Sequence, residues 1–215
     1  MKFTAFLPMK LNSERVKDKN FILINKKPLF FYILDTLQSV KHIDQILIDV
    51  DSEVVIDKVK EYFDNVDFKL REDNLLDPSE SVNKIIESNF HQINNNFIFQ
   101  THTTNPLLTT NTINEALELY MENKNSLFSV NSFQSRFYDQ SLNPINHNPN
   151  ELIPTQNLDF IYEENSNFYI FSKEDFIENG NKRIGNKSVH YITKKYDSVD
   201  LDTEEDLKLL RRILE

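Results

Sequence analysis

Short apolar runs alternate with stretches of helical spacing over the first 130 residues. The run from Phe3 to Met9 predicts a buried strand, and the apolar spacing of Phe30, Ile33 and Leu37 predicts a helix after it. Further strands are predicted at residues 45–50, 66–70, 96–100 and 126–130, each preceded by a helical stretch. Since parallel strands need crossover connections, this alternation predicts an α/β fold with a doubly wound, mainly parallel sheet.

The periodicity fails between residues 131 and 164, where Pro144, Pro149 and Pro154 interrupt any regular element. This stretch is predicted to be a protruding insertion. Regular spacing then returns, with strands predicted at residues 167–171 and 189–192 and helices at 172–180 and 203–214. A chain of 215 residues is too short for two comfortable independent cores and shows no linker, which predicts a single domain spanning residues 1–215.

The composition excludes several classes of function. The chain has no cysteine, which excludes disulfides and thiolate metal sites. It has only two glycines, which excludes the Gly-rich phosphate loops of P-loop and dinucleotide-binding proteins. A net charge of −10 argues against nucleic acid as a partner, because that affinity comes from clustered Lys and Arg. The sequence shows neither a long apolar run nor a signal peptide, so we expect a cytoplasmic protein that does not enter a membrane.

A basic loop follows the first predicted strand. In open parallel sheets, ligands bind beyond the carboxyl ends of the strands, so this loop is a candidate cradle for a polyphosphate. A solvated surface loop without a ligand is the alternative interpretation. Residues 10–27 carry two acids against six bases, which are Lys10, Arg15, Lys17, Lys19, Lys26 and Lys27.

A polar loop at residues 100–108 follows the fourth predicted strand. Its hydroxyl, amide and imidazole groups are suited to contacts with sugar hydroxyls. The alternative is a turn and helix entry with Thr109 or Asn111 as the N-cap, and the two interpretations are compatible. His102 taken alone is more often a hydrogen-bonding loop residue than a base.

Two carboxylates, Asp200 and Asp202, alternate along an extended segment before the last predicted helix. Side chains at alternate positions point the same way, which suits a hard cation bound through oxygen. Alternatively, Asp202 and Glu205 form an acidic analogue of the capping box that starts the helix. Spacing alone favours neither interpretation.

Together these segments resemble the acylneuraminate cytidylyltransferase family, which includes the CMP-sialic acid synthetases and, more distantly, the CMP-3-deoxy-octulosonate synthetases. The opening segment is similar to the family signature of a strand, a basic residue, a Ser, further bases and a closing Lys-Asn. The closing segment is similar to the family's Asp-x-Asp-Thr motif. The segments are FLPMKLNSERVKDKN at 6–20, KKPL at 26–29, IDVD at 48–51, TNPL at 104–107, NSNFYI at 165–170 and SVDLDTEED at 198–206.

The resemblance implies a role for each matching residue. The implied nucleotide-binding residues are Lys10, Asn12, Ser13, Arg15, Lys19, Arg71 and Ser81. The implied sugar-binding residues are His102, Thr104, Arg136, Asn165 and Tyr169. The implied catalytic residues are Lys10, Lys19, Asp200 and Asp202, with the two aspartates as ligands of Mg²⁺.

The implied reaction is the transfer of CMP from CTP to the anomeric hydroxyl of a 2-keto-3-deoxy sugar acid of the sialic acid type, with release of pyrophosphate. Residues 131–164 correspond to the family's dimerisation arm, which implies a homodimer whose partner closes the sugar site. Two other functions stay open: a nucleotidyltransferase that activates another sugar or a sugar phosphate, and a catalytically silent nucleotide-binding homologue.

The chain also departs from the family pattern. Lys10 replaces an Arg, which loses bidentate recognition of phosphate. Leu11 and Asn12 replace loop glycines that let backbone amides approach a ligand closely. Thr155 occupies the place of a possible sugar-carboxylate Arg, and Arg136 is the candidate substitute. These changes leave the identity of the sugar open.

Overall fold

A seven-stranded sheet forms the centre of the molecule. The structure is a computed structural model that describes residues 1–13 and 15–215, so Glu14 lies outside the described residues. Six of these strands are parallel and β8 runs antiparallel to both its neighbours, which confirms the mainly parallel sheet. The seven strands of the sheet are β1 (Phe3–Met9), β4 (Ile43–Val50), β5 (Asp67–Leu70), β6 (Phe97–Thr101), β7 (Leu127–Phe133), β8 (Ile161–Ser172) and β9 (Val189–Ile192). Two short strands, β2 (Leu23–Ile24) and β3 (Lys27–Pro28), pair with each other outside it. The order across the sheet is β5-β4-β1-β6-β8-β7-β9.

Helices cover both faces of this sheet, as the sequence predicts. Alternate residues of β1 separate the two layers: Leu7 packs in a cluster with residues of α1, α2 and α4, whereas Phe6 packs with residues of α3 and α5. A third cluster holds α6 against the loop that follows β1, through Leu207 and Val16. The helices are α1 (Leu29–Gln38), α2 (Glu53–Lys60), α3 (Val82–Ser88), α4 (Thr110–Asn123), α5 (Lys173–Glu178) and α6 (Glu204–Leu214).

The predicted insertion begins and ends as a continuation of the sheet. β7 and β8 pair antiparallel from Val130 opposite Glu164 to Phe133 opposite Ile161, so the strands take in residues 131–133 and 161–164 of the predicted insertion. Between them, Leu142 is 78% exposed and Leu152 is 91% exposed. The chain between β7 and β8 is called the arm below. Its role in dimerisation stays a prediction.

A short hairpin, β2–β3, was not predicted from the sequence. Its two turn residues, Asn25 and Lys26, both have positive φ angles, of 44° and 64°. Two successive residues in this region form the turn type that matches the twist of a two-residue hairpin. Glycine normally supplies this conformation, so its absence here hides the turn in the sequence.

In the part of the chain that the structure describes, none of the helices is both long and apolar enough to cross a bilayer.

Candidate functional site

Two adjoining clefts lie beyond the carboxyl ends of β1, β4 and β6. Their volumes are about 470 and about 250 Å³, and Lys10, Ser13 and Lys19 line both of them. Asn12 and Arg15 line only the larger cleft, whereas Arg71 and His102 line only the smaller one. The parallel sheet therefore brings the predicted phosphate loop and the predicted sugar loop together at one edge.

The basic loop after β1 is held by side chains rather than by glycines. The Asn20 side-chain amide donates to the Lys10 carbonyl at 2.8 Å, and the Thr103 hydroxyl donates to Asn20 Oδ1 at 2.6 Å. At the start of the loop, the Leu11 amide donates to Asp51 Oδ1 at 2.7 Å. Asn20 and Asp51 fall inside the matching segments, but the sequence analysis gave neither of them a role.

Asp202 is the carboxylate at which the basic loop meets the segment before α6. Lys19 Nζ lies 2.9 Å from Asp202 Oδ1 and 3.1 Å from the Leu201 carbonyl, and Arg15 Nη2 lies 2.9 Å from the same carboxylate oxygen. Burial raises the pKa of Asp202, but the hydrogen bond from Lys19 and the charges of both cations outweigh burial and leave that pKa below its usual value. Of the two cations, Arg15 is largely exposed and Lys19 is mostly buried.

Asp202 does not cap α6, so that alternative interpretation is wrong. The N-cap is Thr203, whose hydroxyl accepts from the Asp206 amide, and Asp206 completes the capping box by accepting from the Thr203 amide. The predicted partner of Asp202 in a cap, Glu205, has no part in this box. The capping box does not use the side-chain oxygens of Asp202, of which Oδ1 contacts Lys19 and Arg15.

Asp200 has a buried side-chain oxygen that is available to a ligand. Its Oδ1 is buried and has no hydrogen-bond partner among the described residues, and burial raises the pKa of this carboxyl. The nearby Thr104 hydroxyl acts against burial and lowers the pKa of Asp200, while the Thr104 carbonyl accepts from the Leu201 amide at 2.9 Å. Thr104 therefore joins the predicted sugar loop to the aspartate pair.

The aspartate pair fits Mg²⁺ better than it fits a fully protein-bound metal. Within residues 1–13 and 15–215, there is no cluster of three or more His, Asp or Glu side chains that could hold a metal. Mg²⁺ is usually held by one or two carboxylates together with water and substrate phosphates. The unpartnered Asp200 Oδ1, next to Asp202, meets that requirement.

Arg71 is fixed beneath the smaller cleft by an acidic partner. Its Nε lies 2.5 Å from Asp49 Oδ1, and the Asn89 side chain donates to the other Asp49 oxygen at 2.8 Å. Arg71 Nη1 is buried and has no partner among the described residues. Ser81, another of the predicted nucleotide-binding residues, is the N-cap of α3 and accepts from the Asn83 amide at 3.2 Å.

His102 is a neutral imidazole at the side of the smaller cleft. Burial, and then the charges of Arg183 and Lys19, lower its pKa to about 4. Its Nε2 lies 3.0 Å from the Gln100 side-chain nitrogen, which makes that ring nitrogen the acceptor and leaves the proton on Nδ1. A neutral ring suits hydrogen bonds to sugar hydroxyls.

The remaining predicted sugar-binding residues, Tyr169 and Asn165, differ in how many of their polar groups are free for a ligand. The Tyr169 hydroxyl donates to Glu164 and lies 3.1 Å from Ser166 Oγ. Asn165 is fully engaged: its amide nitrogen donates to Asn131 and Thr193, while its oxygen accepts from the Ser129 hydroxyl and the Asn167 amide. Among the described residues these four bonds use every donor and acceptor position that the Asn165 side chain has. Asn165 therefore links β8 to β7 and has no polar group left for a ligand.

Arg136 lies away from the two clefts. Its Nη2 donates to the Ile153 carbonyl at 2.5 Å, and both residues belong to the arm. Of the described residues that line the two clefts, none belongs to the arm. Within one chain, therefore, the structure does not bring Arg136 to the predicted sugar site.

Arg183 is a further residue near the site that the sequence does not mark. Its Nη1 lies 2.6 Å from Gln100 Oε1, and its guanidinium carbon lies 3.8 Å from the centre of the Tyr169 ring. The loop between α5 and β9 that carries it has no periodicity and no motif, so only its charge could have marked it.

The chain is similar to known proteins over almost its whole length. Residues 4–215 match the model of a protein family described as cytidylyltransferase. The CMP-N,N'-diacetyllegionaminic acid synthase of Legionella pneumophila is 26% identical, over all of this chain and 97% of that protein. A pseudaminic acid cytidylyltransferase of Campylobacter jejuni is 24% identical, over 98% of this chain and 95% of that protein. The structure of a CMP:2-keto-3-deoxy-manno-octonic acid synthetase complexed with CTP has a TM-score of 0.72 and 9% identity, over 99% of this chain and 98% of that chain.

Proposed function

Since the chain belongs to the cytidylyltransferase family, we propose that it transfers CMP from CTP to the anomeric hydroxyl of a 2-keto-3-deoxy sugar acid and releases pyrophosphate. The observation that carries this proposal is the meeting of Lys10, Lys19, Asp200 and Asp202 at one edge of the sheet. The full-length similarity to enzymes named for legionaminic acid and pseudaminic acid supports a nine-carbon sugar acid as the acceptor.

The basic loop binds the phosphates of CTP in this proposal. Lys10 and Lys19 line both clefts, so they face a triphosphate that spans the two. A triphosphate competes with Asp202 for Lys19 and Arg15, and Arg15 is the more exposed of the two cations. Asn20 fixes the Lys10 backbone before the substrate arrives, which reduces the reorganisation of the loop that binding requires.

The chemical step consists mainly of positioning and charge neutralisation. The oxygen of the anomeric hydroxyl forms a bond to the α-phosphorus while the bond from that phosphorus to the bridging oxygen of pyrophosphate breaks, and the hydroxyl proton is released to solvent. Lys10, Lys19 and Arg15 neutralise the charge that accumulates on the departing pyrophosphate. The neutral His102 ring, which lines the smaller cleft, holds the acceptor by hydrogen bonds to its hydroxyl groups.

We further propose that Asp200 and Asp202 hold Mg²⁺ when CTP is bound. The unpartnered, buried Asp200 oxygen supports this assignment. When bound, the ion supplies charge that neutralises and polarises the phosphate oxygens.

A homodimer completes the proposal. The arm exposes Leu142, Ile145, Leu152 and Phe160, each by more than half of its accessible surface. Apolar exposure concentrated on one protrusion is typical of a protein–protein contact. In a dimer, the arm of one subunit brings its own Arg136 towards the partner, which is the route by which this residue reaches a sugar site.

The proposed reaction can be tested by measuring pyrophosphate release with Mg²⁺ and each of the four nucleoside triphosphates. N-acetylneuraminic acid, legionaminic acid, pseudaminic acid and 3-deoxy-octulosonate are offered in turn, and the CMP-sugar is identified by mass spectrometry. Release that requires both CTP and one of these acids supports the proposal. Release with a sugar phosphate instead, or binding of CTP without any product, contradicts the choice of acceptor.

A further inference from the structure

The Gln100 side chain is a buried amide whose neighbours permit only one orientation. Its Oε1 lies 2.6 Å from Arg183 Nη1, and its Nε2 lies 3.3 Å from the Thr101 carbonyl and 3.0 Å from His102 Nε2. A guanidinium can only donate hydrogen bonds, and a carbonyl can only accept them. Exchanging the amide oxygen and nitrogen would set two donors against each other at Arg183 and two acceptors against each other at Thr101. Gln100 is fully buried, so water does not relieve either conflict.

This orientation determines which ring nitrogen of His102 carries the proton. The two N–H groups of the Gln100 amide face the Thr101 carbonyl and His102 Nε2. An amide nitrogen does not accept hydrogen bonds, so Nε2 of the ring is the acceptor. In a neutral imidazole the proton then lies on Nδ1. A proton on Nε2 would instead set two donors against each other at 3.0 Å.

The Nδ1–H group of His102 is accessible to a ligand. His102 lines the smaller cleft, whereas Gln100 and Arg183 line neither cleft. Among the described residues Nδ1 has no hydrogen-bond partner, and it does not belong to the buried side-chain atoms that lack one. The ring therefore directs its acceptor nitrogen towards the protein and keeps its only donor accessible.

Arg183 is itself fixed on its other side. Its guanidinium carbon lies 3.8 Å from the centre of the Tyr169 ring, and the Tyr169 hydroxyl donates to Glu164. Burial lowers the pKa of Arg183, and nearby Tyr169 and Glu164 act against that shift. A charged donor holds the Gln100 oxygen more firmly than a neutral one, because charge-assisted hydrogen bonds are roughly twice as strong as neutral ones.

We propose that Arg183 and Gln100 are positioning residues that fix His102 in its Nδ1–H tautomer, so that this position offers the smaller cleft a hydrogen-bond donor. The group that binds there must supply an oxygen with a free lone pair, either from the acceptor sugar or from CTP. The tautomer follows from contacts within the chain. The use of the donor by a substrate rests on the proposed function.

The alternative is a structural contact that leaves the tautomer of His102 open. NMR spectra that correlate the ring protons and nitrogens of histidine distinguish the two cases, because they separate protonated from unprotonated ring nitrogens. At about pH 8 histidine rings are neutral, since their ordinary pKa is about 6.5. His102→Gln assigns the His102 signals, and the exposed His91 and His190 serve as internal references.

The wild type should show a proton on Nδ1 and none on Nε2. Gln100→Glu replaces the amide donor by a carboxylate oxygen that Arg183 balances, so the proton should move to Nε2. Arg183→Met allows the amide to turn and should give a mixture of tautomers, whereas Arg183→Lys keeps a charged donor and should retain the wild-type tautomer. The controls Gln38→Glu and Lys187→Met make matching changes at exposed positions and should leave the His102 signals unchanged.

Kinetics then identify the substrate that uses the donor. Gln100→Glu should raise KM by about tenfold for the substrate that faces His102, as loss of a hydrogen bond does, and leave KM for the other within about twofold. A higher KM for the sugar acid assigns the donor to the acceptor, and a higher KM for CTP assigns it to the nucleotide. In a His102→Leu background, the same substitution should change neither KM by more than about twofold, because the effect acts through the ring.

Several results would overturn the inference. A wild-type spectrum with the proton on Nε2, or with both tautomers, does so without any variant having to fold. A proton that stays on Nδ1 in Gln100→Glu, or an equal rise of KM in the His102→Leu background, also does so. The spectra need no substrate, so the two proposals fail separately: if none of the sugar acids is turned over, the proposed function fails, while the spectra still decide the tautomer.

Discussion

Lys19 and Asp202 are 183 positions apart in the chain, yet Lys19 Nζ donates to Asp202 Oδ1 at 2.9 Å. This contact joins the loop after the first strand to the segment before the last helix. It places one of the proposed phosphate-binding cations beside the proposed metal ligands, although the sequence separates them by almost the whole chain. The parallel sheet makes such a contact possible, because the ends of its strands open on the same edge.

The first prediction concerns pH and His102. Its folded pKa, about 4, lies below the unfolded value of roughly 6.5, so the unfolded chain takes up a proton that the folded chain refuses. The stabilising effect of neutral His102 is complete above the unfolded pKa and is lost as the pH falls towards 4. Between these values, stability should decrease by at most about 1.4 kcal/mol per pH unit through this residue.

This prediction is checked by urea unfolding of the wild type and His102→Gln at pH 7 and pH 5. The variant carries no titrating group at that position, so it should lose less stability than the wild type over the same interval. Equal losses in both proteins would show that His102 is protonated alike in the folded and unfolded states.

The second prediction concerns the β2–β3 turn. Lys26 holds a φ of 64°, which costs a non-glycine residue free energy, so Lys26→Gly should raise the free energy of unfolding by about 1 kcal/mol. The adjacent Lys27, in β3, is the control, and Lys27→Gly should lower stability. Chemical denaturation measures both. A loss of stability in Lys26→Gly would mean that its side chain contributes more than the turn conformation costs.

The third prediction concerns the clamp on the basic loop. Asn20→Ala leaves the Lys10 carbonyl and the Thr103 hydroxyl without their partner, which should lower the free energy of unfolding by about 1–3 kcal/mol. Because Lys10 also loses its fixed position, binding of CTP should weaken, as measured by calorimetry. Asn123→Ala, which removes an exposed hydrogen bond within α4, is the control and should change neither quantity appreciably. Unchanged affinity for CTP in Asn20→Ala would show that the clamp does not position the phosphate loop.

The fourth prediction concerns the arm. Leu142→Ser combined with Leu152→Ser removes its two most exposed apolar side chains and should shift the protein from dimer to monomer in light scattering. Leu23→Ser, at an exposed position on the β2–β3 hairpin, should leave the dimer intact. A monomeric wild type, or a dimer that survives the double substitution, would contradict the proposed role of the arm.

The fold could be predicted because its signals are local. The run from Phe3 to Met9 and the helical spacing after it report burial directly, so the order of strands and helices followed from periodicity. The β2–β3 hairpin could not be predicted, because Asn25 and Lys26 take a conformation that glycine usually marks. The β8 strand was placed, but its antiparallel direction depends on partners that are distant in the chain.

The sequence predicted many of the residues of the candidate site. It predicted fewer of the contacts that these residues make. Lys19 and Asp202 were singled out by charge and by resemblance, and the structure brings them together. The saturation of Asn165 and the capping pair of Thr203 and Asp206 depend on side-chain geometry that spacing does not specify. Arg183 escaped notice because its importance comes from burial and from stacking on Tyr169, which only the folded chain shows.

The most direct test of the account compares turnover of CTP and the preferred sugar acid by Asp202→Asn and Glu205→Gln. Both substitutions remove one negative charge from the segment around the start of α6. Of the two residues, only Asp202 contacts the basic loop and belongs to the proposed metal pair. We predict that Asp202→Asn stays folded and loses at least about 100-fold in turnover, while Glu205→Gln keeps near wild-type activity. Near-normal CMP-sugar formation by Asp202→Asn would contradict the assignment of this edge of the sheet as the active site.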